Sequence, residues 1–302
     1  MAKAKMGLSE RRQALAGVMF AMPYLIGFSI FLAIPLLTSF YNSFTEYSVL
    51  REPVWIGLRN YADVFRDELF YKSLGNTLFF AAFSIPLSTI MAIALAMLLN
   101  TKVRGQAFYR TFFFLPSLVP AVPMAILWLY LFNGDFGIVN AVLKIPYSAI
   151  GLEPPNWLSS VEHAKNVLIT MSVWTVGNAM IIYLAGLQEI PQQLYEASDL
   201  DGASPWQKTK NVTIPLLSPV IMFNVLMGII GSLQYFTQAY VLFPGGAPAR
   251  STYMYSMYIY DTAFRDLRMG YASALGWVMF VIILVLTFTA FRFFDKKVHY
   301  EG

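Results

Sequence analysis

The chain has 302 residues, of which 57% are hydrophobic and 13% charged, and its formal net charge at pH 7 is +4. Soluble domains carry about 25% charged residues, so this composition excludes an ordinary water-soluble fold. The sequence contains no cysteine, which excludes disulfides and thiolate metal sites and leaves the redox compartment undetermined.

Charged residues are missing from six long stretches of the chain. No Asp, Glu, Lys or Arg occurs within residues 13–45, 73–101, 111–134, 166–188, 211–249 or 269–291. Each stretch is at least 23 residues long, whereas a membrane-spanning helix needs about 20. Within them we predict spans at residues 14–40, 76–99, 111–132, 166–187, 215–243 and 270–292. The sequence therefore predicts an all-α, polytopic membrane protein with six transmembrane helices.

Local features refine individual spans. The first apolar stretch is about twice as long as the core of a signal peptide and lacks a clear small-residue cleavage site, so we interpret it as a retained span. Pro116, Pro120 and Pro123 predict a bent third span. The segment 133–165, rich in Gly, Pro and Asn, is expected to be an outer loop containing only short helices.

The distribution of basic residues predicts an orientation. If both termini are cytoplasmic, 12 of the 21 basic residues fall in the inner segments, which are much shorter than the outer loops. This is the positive-inside bias. The basic residues flank helices and form no stripe, so a nucleic-acid partner is not expected. We predict a multi-pass protein of a prokaryotic inner or plasma membrane, with lipid around it and both termini inside.

A polar segment separates the fourth and fifth spans, at residues 190–219. Its pattern predicts a helix with Pro191 at the first position and Gly202 as a left-handed C-terminal cap. Ser204 to Gln207 form a capping-box pattern that predicts a second helix, which we expect to end before Pro215. From spacing alone, an ordinary helical hairpin on the inner face remains an alternative.

This segment resembles the EAA loop of binding-protein-dependent ABC importer permeases. The matching pattern is Glu196-Ala197-Ser198, then Gly202, then Val212 to Pro215, with Ser198 in place of the second Ala. Further matches surround it: Arg110-Thr111, Trp128, Leu184 to Gln188, Gly245-Gly246-Ala247-Pro248 and Gly270 to Ala274. Ala247 interrupts the family's Gly-Gly-Pro. The resemblance covers most of the chain and is closest to the maltose-permease-subunit type.

The resemblance implies a type I ABC importer permease subunit that translocates a carbohydrate. Its implied partners are an ABC ATPase dimer, a second homologous permease subunit in a heterodimer, and an extracytoplasmic solute-binding protein. It implies an N-terminal segment at 1–72, a transmembrane domain at 73–292 with the coupling loop at 190–212, and a tail at 293–302. The residues it implies for ATPase coupling are Glu196, Ala197, Ser198, Asp201, Gly202 and Pro215.

Uncharged polar and aromatic side chains within spans four and five are candidates for the substrate pathway. Amide and hydroxyl groups are costly in hydrocarbon without partners, so they either bond between helices or line a wet pathway. Amides beside aromatic rings suit a sugar, which offers hydroxyls and flat CH faces. In span four, Trp174 and Asn178 are spaced to share one helix face. The candidates are Trp174, Thr175, Asn178, Ser232, Gln234, Tyr235 and Gln238.

Several chemistries have no residues to support them in this sequence. There is no phosphate-loop motif, so ATP and Mg²⁺ are expected on the partner ATPase and no cofactor on this chain. Apart from Arg292, the last residue of the sixth span, no Asp, Glu, Lys, Arg or His lies within a predicted span, so we expect no catalytic residue, no metal site and a neutral substrate. A polyol or glycerol-3-phosphate as substrate, a secondary carrier without ATPase, and a membrane enzyme, the last least favoured, stay open as alternatives.

Overall fold

The computed structural model describes residues 8–101 and 104–295. Residues 296–302 of the predicted tail, and the basic residues Lys3, Lys5 and Lys102, lie outside this part. Four described helices are long and apolar enough to cross a membrane: Leu15–Asn42, Glu68–Leu99, Ser218–Leu242 and Met269–Asp295. Two further spans are bent helix pairs. Counting each pair as one span gives the six that the sequence predicts.

The regular secondary structure of the described part is helical apart from one hairpin. In chain order the helices are α1 (Leu8–Phe28), α2 (Ile34–Asn42), α3 (Arg59–Val64), α4 (Glu68–Leu99), α5 (Gln106–Phe114), α6 (Ala121–Leu131), α7 (Ile138–Ala149), α8 (Ala164–Trp174), α9 (Gly177–Glu189), α10 (Gln192–Leu200), α11 (Pro205–Lys208), α12 (Ile214–Leu216), α13 (Ser218–Leu233), α14 (Thr237–Leu242), α15 (Tyr255–Tyr260) and α16 (Met269–Asp295). The strands are β1 (Thr45–Ser48) and β2 (Arg51–Trp55).

One compact unit comprises the residues up to Arg66 together with Thr262–Trp277. In it α1 continues into α2 through a widened π turn, just before Pro35, whose missing N–H cannot serve a regular turn. The antiparallel hairpin β1–β2, in which Thr45 faces Trp55, was not predicted. The buried amide of Asn60 donates to the carbonyls of Ser43 and Thr45, both at 2.9 Å, and so fastens α3 to the base of the hairpin.

The second unit comprises Asp67–Asp261 together with the chain from Val278. Its centre is α4, which packs against α8, α9, α13 and α15. Ala92 and Ala96 on α4 are fully buried against Met180 and Tyr183 of α9, because small residues let membrane helices approach closely. A Cβ on Gly186 of α9 would lie 2.9 Å from a methyl group of Val220 on α13, so a larger residue there would require Val220 to shift.

The third span is bent as predicted, and the fourth is broken where no break was expected. The axes of α5 and α6 differ by 99° across a 3-10 turn (Leu115–Leu118) and Pro120. Those of α8 and α9 differ by 43°. At this second break the hydroxyl of Thr175 donates to the carbonyls of Met171 and Ser172, at 3.3 and 3.1 Å. Such bonds compete with the backbone ladder and bend helices.

Candidate functional site

The loop between spans four and five forms two short helices around a glycine turn. α10 ends at Leu200 with Asp201 as its C-cap, and Gly202 has φ +73°, the left-handed conformation predicted for it. The N–H of Ala203 bonds to Ser198 at 2.9 Å and that of Gly202 to Asp199 at 3.1 Å, which together make a Schellman motif. The predicted capping box, Ser204 with Gln207, opens α11. The loop therefore has a defined shape of its own.

Two details of the predicted loop are wrong. Pro191 is the residue before the first helical position of α10, because its ψ of 128° is extended. The second helix does not end before Pro215 but continues through a π turn (Thr209–Thr213) into α12, which ends at Leu216. Pro215 lies in the first turn of α12, where a missing N–H is tolerated. The loop thus joins span five as a nearly continuous helix.

The predicted coupling residues lie on the outside of this loop. Glu196, Ala197, Asp201 and Gly202 are exposed, whereas Ser198 and Pro215 are half-buried. The carboxylate of Glu196 accepts a bond from the Gln192 amide at 2.9 Å.

Sequence reasoning missed two apolar side chains on the same loop. Leu200 is 91% exposed and Trp206 is 74% exposed. Large apolar residues inside a polar, charged segment were the signal that could have found them. An ion pair between Asp199 and Lys208 joins α10 to α11, and Leu200 and Trp206 lie between these two residues in the sequence.

A cavity of about 500 Å³ lies among spans two, four and five. The polar residues that line it come from α4, from α8 and α9 around their break, and from α13 and the turn after it: Ser84, Ser88, Thr89, Ser172, Thr175, Asn178, Tyr183, Asn224, Ser232 and Tyr235. A second cavity of about 290 Å³ shares Ser172, Thr175, Asn178 and Tyr235 with it and adds Gln238 and Ser117. Because the two cavities share four lining residues, they adjoin each other, and we describe both together as the polar cavity.

Five of the seven predicted pathway residues line this polar cavity: Thr175, Asn178, Ser232, Tyr235 and Gln238. Trp174 instead lines an apolar cavity with Phe112 and Leu127, which adjoins the polar cavity through Pro116, Val119 and Met124. Gln234 is exposed and lines neither part of the polar cavity. The expectation that Trp174 and Asn178 share a helix face is wrong because the helix breaks between them.

The polar cavity also contains residues that sequence reasoning missed. Ser84, Ser88 and Thr89 recur at helical spacing on α4, and Asn224 precedes Ser232 by about two turns on α13. The signal that could have found them is this recurrence of small polar residues on one face of an otherwise apolar helix.

Several of the lining hydroxyls and one amide are satisfied within their own helices. Ser172 donates to Ile169 at 2.7 Å, Ser232 to Ile229 at 3.2 Å, and the amide of Asn224 to Val220 at 2.9 Å. Their oxygens keep lone pairs that can accept bonds from a guest. Among the lining residues of the described chain there is no Asp, Glu, Lys, Arg or His.

In the described part of the chain, no group of three or more His, Cys, Asp or Glu side chains could hold a metal ion. What the cavity offers is hydrogen bonding to an uncharged polar guest, together with the flat ring of Tyr235, which stacks on Phe80 at a centroid distance of 4.4 Å.

A polar cavity among apolar spanning helices, beside an exposed helical loop, defines a polytopic membrane transport protein. The chain belongs to the family of binding-protein-dependent transport system inner membrane components, whose model matches residues 84–300. This agrees with the resemblance carried by the EAA-like loop.

The chain is similar to permease proteins of ABC transport systems and to a chain of a solved ABC transporter. The chain is 39% identical to the probable ABC transporter permease protein YesP of Bacillus subtilis (strain 168), over 99% of this chain and 96% of the relative. It is 36% identical to the lactose transport system permease protein LacF of Rhizobium radiobacter, over 91% and 92%. A chain of a bacterial ABC transporter involved in the import of the acidic polysaccharide alginate has TM-score 0.79 and 27% identity, over 95% of this chain and 96% of that one.

Proposed function

We propose that this chain is a permease subunit of an ATP-driven importer that translocates a carbohydrate delivered by an extracytoplasmic solute-binding protein. Family membership and relatives named for lactose and for trehalose/maltose transport support the proposal. A neighbouring structure pairs an alginate transporter with its periplasmic protein bound to an alginate pentasaccharide. ATP and Mg²⁺ would be bound by the partner ATPase dimer, and the pathway shared with a second, related permease.

The polar cavity carries the carbohydrate part of the proposal. Hydroxyl and amide groups from three spans converge on it, and its described lining holds no side chain that is charged at pH 7. A sugar replaces the water that such groups would otherwise bind, and the ring of Tyr235 offers a flat surface to its CH faces. A charged guest would lose its hydration there without a compensating side chain. We therefore infer a neutral sugar.

The exposed loop supports the ATPase part of the proposal. Glu196 and Asp201 present carboxylates, and Leu200 and Trp206 present apolar side chains, on a turn held by the Schellman motif and the capping box. A rigid knob of this composition suits a cleft with an apolar floor and a basic rim. Movement of that cleft on ATP binding would move α10 and α11, and through the helical connection to α13 one wall of the cavity.

The test is reconstitution of the complete importer in proteoliposomes, with ATP inside and the loaded binding protein outside. We expect ATP-dependent uptake of a labelled neutral oligosaccharide in preference to a polyol, glycerol-3-phosphate or a uronic-acid oligosaccharide. Preferred uptake of a charged substrate would contradict the neutral-sugar assignment alone. Uptake driven by an ion gradient without the ATPase would contradict the importer assignment and favour a secondary carrier.

A further inference from the structure

The helix α7, in the loop between spans three and four, exposes one continuous apolar face. Ile138, Val142, Ile145 and Ala149 recur at helical spacing on this face, and all four are exposed, with Ile145 at 77%. We define these four residues as the α7 apolar face. Nothing in the described chain covers it, so whatever contacts this face lies outside the described chain.

The opposite face of α7 is anchored to the protein. Asn140, Leu143 and Tyr147 are half-buried. Asn140 accepts a bond from the indole N–H of Trp157 at 2.7 Å and donates to the carbonyl of Gly134 at 3.1 Å. Because these bonds fix the rotation of the helix about its axis, the direction of the apolar face is set by the fold.

The α7 apolar face continues an apolar surface that begins on a spanning helix. α6 exposes Leu127 and Tyr130, and the ring of Tyr130 lies 6.3 Å from that of Phe136, which is itself exposed just before α7. Backbone bonds from Phe132 to Trp128 and from Gly137 to Asn133 keep this connection compact. The end of a membrane span therefore leads directly into α7.

We propose that α7 is an interfacial helix that buries its apolar face in the lipid at the membrane surface. With 12 residues it is about 18 Å long, too short to cross a hydrocarbon core of about 30 Å. Pro146 within α7 frees a backbone carbonyl, which water can satisfy at the membrane surface. Amphipathic helices at the interface bury their apolar side by about 5–10 Å.

The polar flank of α7 supports the same placement. Lys144 and Ser148 are exposed beside a cleft of about 530 Å³ that also contains Asp135 and Glu153. A helix with an apolar face on one side and a polar cleft on the other has the arrangement that an interface requires. The apolar face is wholly aliphatic, whereas protein-binding hot spots are enriched in Trp, Tyr and Arg. Lipid is therefore the occupant that the composition favours over a protein.

The experiment uses nitroxide labels on single cysteines in the assembled importer, with the other subunits made cysteine-free. The chain itself has no cysteine, so Val142→Cys and Ile145→Cys each label one position of it, and Ser148→Cys is the matched control on the polar flank. Proteoliposomes of equal amounts of phosphatidylethanolamine and phosphatidylglycerol provide the membrane. Accessibility is measured to oxygen, which concentrates in lipid, and to a water-soluble nickel chelate.

We expect the oxygen-to-nickel accessibility ratio to be several-fold higher at positions 142 and 145 than at 148. A high nickel accessibility at 142 and 145 would show that the face lies in water and would overturn the proposal. Low accessibility to both reagents would show burial against the sister permease or the binding protein and would equally overturn it. The result is independent of the transported substrate.

Discussion

The hydroxyl of Tyr195 lies 3.0 Å from the hydroxyl of Thr213. Tyr195 belongs to α10 on the exposed loop, whereas Thr213 is buried in the π turn that leads into span five. This hydrogen bond connects the first helix of the loop directly to the base of a helix that lines the polar cavity. It is therefore a candidate for the link between loop movement and transport.

We predict that Tyr195→Phe weakens this link and leaves the loop folded. A single hydrogen bond contributes about 0.5–1.5 kcal/mol, so we expect ATP hydrolysis to continue while transport per ATP falls several-fold. Thr213→Val should have the same effect, and the double variant should be no worse than either alone if the two hydroxyls act only through each other. Additive losses in the double variant would show that the bond does not carry the coupling.

Gly202→Asp is predicted to abolish transport while the protein still reaches the membrane. A residue with a Cβ costs about 1–2 kcal/mol in the left-handed conformation, and the side chain would also enlarge the knob. Gly202→Asn is the control, since asparagine tolerates this conformation better, and it should keep more transport. Copurification of the ATPase with each variant is the measurement. Normal transport by Gly202→Asp would contradict the coupling role and indicate that the loop is an ordinary helical hairpin.

Glu196→Lys should loosen the ATPase from the complex. If Glu196 pairs with a basic group of the ATPase, truncating one partner of a desolvated pair costs about 2–5 kcal/mol, and charge reversal costs more. Glu196→Gln keeps the size of the side chain and isolates the charge. We expect weak copurification, or ATP hydrolysis that no longer responds to the binding protein, with the lysine variant more severe. Equal binding by both variants and the native chain would contradict the pairing.

Asn178→Ala is expected to reduce sugar-dependent transport several-fold and leave assembly intact. Asn178 lines both parts of the polar cavity, and a lost hydrogen bond to a guest costs about 0.5–1.5 kcal/mol. Gln234 was also a candidate from the sequence, but it lies outside both parts of the polar cavity, so Gln234→Ala is the matched control. Unchanged transport in Asn178→Ala would assign Asn178 to packing between helices.

Both termini are predicted to be cytoplasmic. Reporter fusions near residues 150 and 200 should report the outside and the inside, because an odd number of spans separates them under the six-span topology. Residue 150 follows α7, and residue 200 ends α10. If both fusions reported the same side, the orientation and the assignment of the loop at 190–212 to the ATPase would fail together.

The sequence by itself determined the features that depend on local chemistry. Charge-free stretches longer than a bilayer is thick admit only spanning helices, so the number of spans was readable without coordinates. The left-handed turn at Gly202 and the capping box at Ser204 were readable for the same reason, since each depends on a few neighbouring residues. The family resemblance followed from that segment together with the further matches along the chain.

Only the tertiary structure decided which side chains meet. The break between Trp174 and Gly177 sends Trp174 and Asn178 to different cavities, and it arises where Thr175 bonds to its own backbone and α5 approaches Gly177 within a distance that a Cβ would block. Ser84 and Asn224 join the cavity because α4 packs against α13. Recurring small polar residues can mark one face of an otherwise apolar helix, but they do not show which neighbour that face meets. Packing between the helices therefore decides which of these residues line the cavity.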